Sequence, residues 1–303
     1  MTKFKSGYVA IIGKPNSGKS TLLNSVLKQK LSITTNKPQT TRKRIVGIFN
    51  DDETQIIFLD TPGILKPAYL LQEKFLTQIQ VSINDADIVV LLVDIQNEKT
   101  SKSILEDELV IKLLNSRKKI LCALNKVDLV DAVNLSKITN RLAEYPNILK
   151  VIPISALHNF NIGSLLDEIK TILPEGPKYF PDDQLSSENE RFFVSELIRE
   201  KIFELYSEEI PFSTEVIIEE YKERENGKDY ISAIIIVEKE TQKPIIIGKS
   251  GFSIKKLGQT ARKSVEEFLE KEVFLELRVK VKPKWRSDQS MLKNFGYDID
   301  SEN

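Results

Sequence analysis

Hydrophobic residues concentrate in short strand-like blocks through the first half of the chain, at 8–12, 45–49, 55–59, 88–93, 119–124 and 151–153, and most of these blocks are separated by helical or polar segments. Blocks of this length bounded by turn residues predict strands, and their alternation with helices predicts an α/β sheet. Only Asn50-Asp51-Asp52-Glu53-Thr54 joins the second and third blocks. That is too short for a crossover helix, so a hairpin and one antiparallel edge are expected. The other blocks are mostly continuous, as in Ile88-Val89-Val90-Leu91-Leu92-Val93. Such runs suit parallel strands covered on both faces, with ligands gathering at their carboxyl ends.

The pattern changes after a helix over 162–173, where Pro174-Glu175-Gly176-Pro177 interrupts it. Beyond lies a helical stripe of Phe193, Leu197, Ile198, Ile202 and Leu205. Strand-like runs follow at 214–219 and 230–237, then a helical segment after Gly251 and a closing strand at 274–281. The expected organisation is a first domain over 1–174, a linker over 175–188, an α+β domain over 189–286 and a tail over 287–303. Trp285 reads as a core residue of the second domain.

With 303 residues and 41% apolar content, the chain can fill two cores. Its 44 basic and 44 acidic residues balance, but they are segregated. Residues 182–226 hold 14 acidic and 5 basic side chains, net −9, whereas residues 245–286 hold 11 basic and 5 acidic, net +6. The second block is a candidate surface for a polyanion. One cysteine, Cys122, and one histidine, His158, exclude disulfide frameworks, zinc sites and histidine dyads. The first residues lack a signal-peptide core and no run approaches a membrane span, so a cytoplasmic setting is expected.

Chemistry concentrates at the strand ends. Gly13-Lys14-Pro15-Asn16-Ser17-Gly18-Lys19-Ser20, followed by Thr21, fits G-x-x-x-x-G-K-[ST] between the first strand and a helix with Leu22, Leu23, Val26 and Leu27 on one face. Loop N–H groups and a helix N-terminus suit phosphate oxygens, Lys19 adds charge, and Ser20 offers a hydroxyl to Mg²⁺. Asp60-Thr61-Pro62-Gly63 ends the third strand. Asp60 there can hold a water of the Mg²⁺ shell, and the Gly63 N–H can meet the γ-phosphate. Asn125-Lys126-Val127-Asp128 ends the fifth. Asp128 can accept from guanine N1–H and N2–H₂, Asn125 can donate to the purine edge and tie back to the phosphate loop, and the Lys126 stem can lie over the ring. Adenine would leave Asp128 without donors, which argues against an ATP-driven enzyme. Ser155-Ala156-Leu157 ends the last strand, with the Ala156 N–H expected at guanine O6. The ligands expected are therefore GTP and GDP with Mg²⁺.

These motifs resemble the translation-factor-related GTPases, and Pro38-Gln39-Thr40-Thr41-Arg42 resembles switch I of the Era family. That resemblance implies a threonine ligand for Mg²⁺; the sequence leaves Thr40 and Thr41 both open, with Thr41 favoured. Ile64 stands where Ras-like proteins place a glutamine to orient the attacking water. An aliphatic chain cannot do this, so slow intrinsic hydrolysis is expected. Asn16 is a candidate K⁺ ligand by similarity to GTPases that use an asparagine there.

Gly248-Lys249-Ser250-Gly251 has the G-x-x-G form of a KH module in type II order. Its glycines let a nucleic-acid backbone approach, and Lys249, Lys255, Lys256 and Arg262 offer phosphate contacts. The tandem order resembles the Era family over nearly the whole chain. It implies a GTP-hydrolysing switch that binds the 3′ end region of 16S ribosomal RNA and acts in assembly of the 30S ribosomal subunit. The expected protein is a monomer, with peripheral contact at the cytoplasmic face of the inner membrane left open. The alternatives are a GTPase acting on another RNA and a passive RNA-binding chaperone with GTP as a structural ligand. The tail, with Met291, Leu292, Phe295 and Tyr297, is open to docking as a helix or ordering on RNA.

Overall fold

The computed structural model describes residues 4–96 and 104–297 of the chain. It divides into two compact units, one of residues 1–66 and 75–187 and one of residues 67–74 and 188–303.

Along residues 5–172 the order is β1 (Lys5–Ile12), α1 (Lys19–Leu27), β2 (Ile45–Asn50), β3 (Thr54–Asp60), α2 (Leu70–Asp85), β4 (Ile88–Asp94), α3 (Glu108–Leu114), β5 (Lys119–Asn125), α4 (Ala132–Ala143), β6 (Ile148–Pro153) and α5 (Ile162–Ile172). The strands form one sheet in the order β2-β3-β1-β4-β5-β6. All pairs are parallel except the β2–β3 hairpin. The apolar blocks explain this: Val9 to Ile12, Ile88 to Leu92 and Ile120 to Leu124 are fully buried, as strands covered on both faces must be. Parallel alignment puts the ends of β1, β3, β4, β5 and β6 along one edge, where the motif loops follow.

Several boundaries differ from the sequence reading. β1 starts at Lys5 because Lys5, Ser6 and Gly7 pair with Thr54, Gln55 and Ile56. α2 runs to Asp85, its Leu71, Phe75 and Ile79 recurring every fourth residue on the buried side. The stretch after Pro174 does not hang free. Ser6 and Gly176 bond across to Pro174 and Phe4, the Gln55 carboxamide bonds to Phe180 O and the Tyr179 N–H, and the Ile48 N–H donates to Leu185 O at 2.8 Å. Ser186 Oγ donates to Val46 O, so this stretch runs along the open side of β2.

The second unit holds α6 (Glu190–Leu205), α7 (Ile210–Ser213), β7 (Glu215–Lys222), β8 (Asp229–Val237), α8 (Gln242–Ile247), α9 (Phe252–Leu269), β9 (Val273–Val281) and α10 (Gln289–Asn294). β8 is the central strand, antiparallel to β7 and parallel to β9. Val194, Ile198 and Ile202 of α6 and Leu257, Ala261 and Val265 of α9 pack with the apolar residues of β8. The run Ile245-Ile246-Ile247 favours strand by composition, yet it ends α8. Pro244 sits in the first turn, where no N–H is needed, and only Ile246 is buried. Trp285 is fully buried, donating Nε1–H to Ser213 O at 2.9 Å and meeting Phe295 edge to face. The tail docks as α10, and Tyr297 bonds Glu215.

Candidate nucleotide site and nucleic-acid interface

The loop between β1 and α1 is shaped by backbone geometry. Gly18 adopts φ +98°, and a Cβ there would lie 2.3 Å from Asn125 Nδ2. Only glycine lets α1 start against the β5 end. Lys19 is 6% exposed, and its ammonium donates to the carbonyls of Gly13 and Lys14 at 3.2 and 3.0 Å. Burial pulls its pKa down to about 8, opposed by the charge of Asp60. A desolvated cation of this kind is matched to an anion.

Beside it the hydroxyl of Ser20 lies 2.8 Å from Thr41 Oγ1 and donates to Asp60 Oδ2 at 2.7 Å. Burial pushes the Asp60 carboxyl up, against the Lys19 charge and the Ser20 and Ser32 hydroxyls. Its second oxygen, Oδ1, is buried with no hydrogen-bond partner among the described residues. Thr40 turns the other way, its hydroxyl donating to Lys37 O. Three oxygens thus converge from α1, the 28–44 stretch and β3.

A cavity of about 400 Å³ opens here. Pro15, Asn16, Gly18, Lys19, Ser20, Thr21, Gln39, Thr40, Thr41 and Gly63 line one end and Asn125, Lys126, Asp128, Ser155 and Leu157 the other. Asn125 Nδ2 donates to Ser17 O at 2.8 Å, the tie expected between base end and phosphate loop. The Ala156 N–H, expected at guanine O6, is instead donated to Asn125 Oδ1 at 2.9 Å. The buried Asn125 oxygen needs that donor, and Ala156 itself is 3% exposed and does not line the cavity. Asp128 is held below the ordinary carboxylate range, first by the neighbouring Ser155 hydroxyl and further by His158 and Lys126, despite some burial.

Other candidates sit behind the wall. Ser17 and Thr61 are fully buried, the latter bonded to Ile11 O, and Arg42 is 1% exposed. Gly13 packs where a Cβ would meet Leu92 O at 2.4 Å. Lys14 points to Asp107 at 3.9 Å, and Pro62 does not line the cavity. Ile64 is 1% exposed within the core, and its N–H donates to Gly13 O. Asn16 Nδ2 donates to Asn36 O at 3.1 Å.

Residues the sequence reading passed over also shape the site. Ser32, fully buried, donates to Asp60 Oδ2, and Asn24 holds its backbone through three hydrogen bonds that include the Leu31 N–H. Nothing in the sequence marks Ser32. Asp94 ends β4 and pairs with Lys126, and an apolar strand closing on a carboxylate is the same signal that marked Asp60.

In the second unit Gly248, Ser250 and Gly251 all adopt positive φ, 73°, 50° and 77°. The loop they form opens α9. Lys249, Lys255 and Lys256 are exposed and make no ion pair among the described residues, whereas Arg262 approaches Glu266 at 3.8 Å.

Comparison with known proteins matches residues 8–126 to the family described as 50S ribosome-binding GTPase and residues 209–286 to the KH domain. The chain is 43% identical to the GTPase Era of Geotalea daltonii, over 98% of this chain and 99% of that one. The chain belongs to the Era family of GTPases. A chloroplastic Era GTPase of Zea mays is 44% identical over 97% of this chain and 70% of its own. Among solved structures, Era in complex with MgGDPNP and nucleotides 1506–1542 of 16S ribosomal RNA superposes at a TM-score of 0.91, with 39% identity over 98% of this chain and all of that one. A variant of Aquifex aeolicus Era bound to GDP·AlF4⁻ gives 0.90 and 38%, with coverage of 98% and 100%. As an Era-family GTPase, this chain joins a P-loop GTPase fold to a separate KH domain.

Proposed function

We propose that this chain is a GTP-driven switch that grips the 3′ end region of small-subunit ribosomal RNA through its KH domain and serves assembly of the small subunit. The observation that carries the reading is the presence, in one chain, of a cavity lined by the Gly13–Ser20 and Asn125–Asp128 loops and of a G-x-x-G loop whose Lys249, like Lys255 and Lys256 of the helix it opens, is exposed and makes no ion pair among the described residues. Full-length likeness to an Era held with MgGDPNP and 16S RNA supports the choice of RNA.

At the phosphate end, Lys19 and the loop N–H groups take the charge, and Ser20 and Thr41 are the hydroxyls for Mg²⁺, with Asp60 reaching its shell through water. Asp60 Oδ1, with no partner among the described residues, and the buried ammonium of Lys19 fit such an occupant. Bound Mg²⁺ would neutralise charge on the β- and γ-phosphate oxygens. At the base end Asp128 accepts from guanine, Lys126 covers the ring and Asn125 braces both loops. With Ile64 in the core, the attacking water depends on backbone groups and on a K⁺ that Asn16 would help hold. Lys249, Ser250, Lys255, Lys256 and Arg262 take phosphate oxygens while Gly248 and Gly251 admit the backbone.

The test is the affinity for a 16S 3′-end RNA with a nonhydrolysable GTP analogue and with GDP. Equal affinities would remove the coupling, and equal affinity for unrelated RNA would remove the target. A monomeric state and peripheral membrane contact belong to the same proposal and are checked by light scattering and vesicle flotation; no helix among the described residues is long and apolar enough to cross a membrane.

A further inference from the structure

The side chain of Lys126, in the base-binding loop, is anchored by a carboxylate at the end of the neighbouring strand. Its ammonium meets Asp94 Oδ2 at 2.6 Å. The other oxygen of Asp94 accepts the Gln96 N–H at 3.0 Å, so the carboxylate is held from two sides. β4 and β5 run parallel with Asp94 opposite Asn125 in register, and the Ile95 N–H donates to Asn125 O at 3.2 Å, which locks the two strand ends together. Lys126 itself adopts φ +69°, a left-handed backbone uncommon for a side chain of this size. Both Lys126 and Gln96 line the nucleotide cavity, and the pair is largely shielded, Asp94 being 14% and Lys126 29% exposed at the side chain.

We propose that Asp94 is a positioning residue for guanine nucleotide. It holds the Lys126 ammonium at the end of β4 so that the four-carbon stem lies across the cavity before the base arrives. A free lysine samples many rotamers and would lose that freedom on binding, whereas a tethered one has already lost it. The tether also keeps the charge satisfied while apolar methylenes face the ring. The inference rests on the reading of Asn125 to Asp128 as the guanine site.

The experiment follows release of a fluorescent GDP from the full chain with Asp94→Asn, Lys126→Ala and the double variant, alongside hydrolysis at saturating GTP. Asp94→Asn keeps the side-chain volume and the acceptor for Gln96. It should speed release about tenfold, equivalent to 1.4 kcal/mol. The turnover number and the preference for guanosine over xanthosine nucleotides should stay unchanged. Lys126→Ala should speed release at least as much, and the double variant should add nothing to Lys126→Ala. Unchanged release in Asp94→Asn, or additive losses in the double variant, would overturn the proposal, as would a loss explained by a matching drop in melting temperature without nucleotide. Asp128→Asn, run in parallel, separates the two failures. If it does not move preference toward xanthosine nucleotides, the guanine reading itself falls.

Discussion

Ser32 donates its hydroxyl to Asp60 Oδ2 at 2.9 Å, linking residues 28 positions apart through a bond with no exposure to solvent. Because Asn24 fixes the Ser32 backbone, α1 sets the direction of a carboxylate on β3. Ser32→Ala should therefore raise the Mg²⁺ concentration needed for half-maximal GTP hydrolysis and cost about 1–2 kcal/mol of stability. A Mg²⁺ titration with a urea melt checks both, and Ser32→Thr should recover part of the loss. An unchanged Mg²⁺ requirement would show that Asp60 is held without Ser32.

Asp128→Asn should exchange guanosine for xanthosine preference, since an amide can donate where the carboxylate only accepts. The Asp128 carboxyl lies below its ordinary value of 3.8. The ionised form, which guanine requires, is therefore present above that value and lost only as pH falls through the lower one. GDP affinity should be insensitive to protonation of Asp128 between about pH 5 and 8. Ser155→Ala, which removes the leading cause of the shift, should move the acid loss of affinity upward, as titration calorimetry across pH would report.

The two glycines of the KH loop should differ on substitution. A Cβ on Gly248 would meet Ser253 Oγ at 2.2 Å, whereas one on Gly251 meets nothing within 4 Å. Gly248→Asp should lower the melting temperature as well as RNA affinity. Gly251→Asp should weaken RNA binding with a smaller stability loss, from positive φ alone. Basal GTP hydrolysis should survive in both, and its fall would argue against separable sites.

Hydrolysis should run faster in KCl than in matched NaCl, and Asn16→Ala should erase the difference. Equal rates in the two salts would end the K⁺ assignment. Ile64→Gln should not create a faster enzyme, because the side chain enters the core rather than the cavity. It should instead cost about 1–3 kcal/mol for a buried amide, measurable by denaturant melt.

Cys122 is fully buried, and its thiol is pushed up to about 12. It should resist thiol reagents until the chain unfolds. Rapid labelling of the native protein would contradict its place in β5.

Much of the fold was legible because continuous apolar runs and two-sided burial are the same fact seen in sequence and in space. The nucleotide motifs were legible because each requires a fixed spacing at a strand end. What escaped was the set of contacts made across long sequence separations. Ser32 reaches Asp60 with no local pattern to announce it, and the carboxylate that closes β4 is visible in the sequence while its pairing with Lys126 is not. The Ala156 N–H shows the same limit: sequence shows which donors a loop carries, and only the packed structure shows that this one meets Asn125 Oδ1. The α8 isoleucines show the converse, a strand-like composition in a helix that carries Pro244 in its first turn and buries only Ile246 of the three.

The stretch leading out of the first unit, with Leu185 and Ser186 bonded to Ile48 and Val46, does more than connect. It occupies the hydrogen-bonding rim of β2 that would otherwise invite a foreign strand. Shortening or unpinning it would leave a nucleotide-competent but self-associating molecule, so solubility of the GTPase half is written into its own exit path.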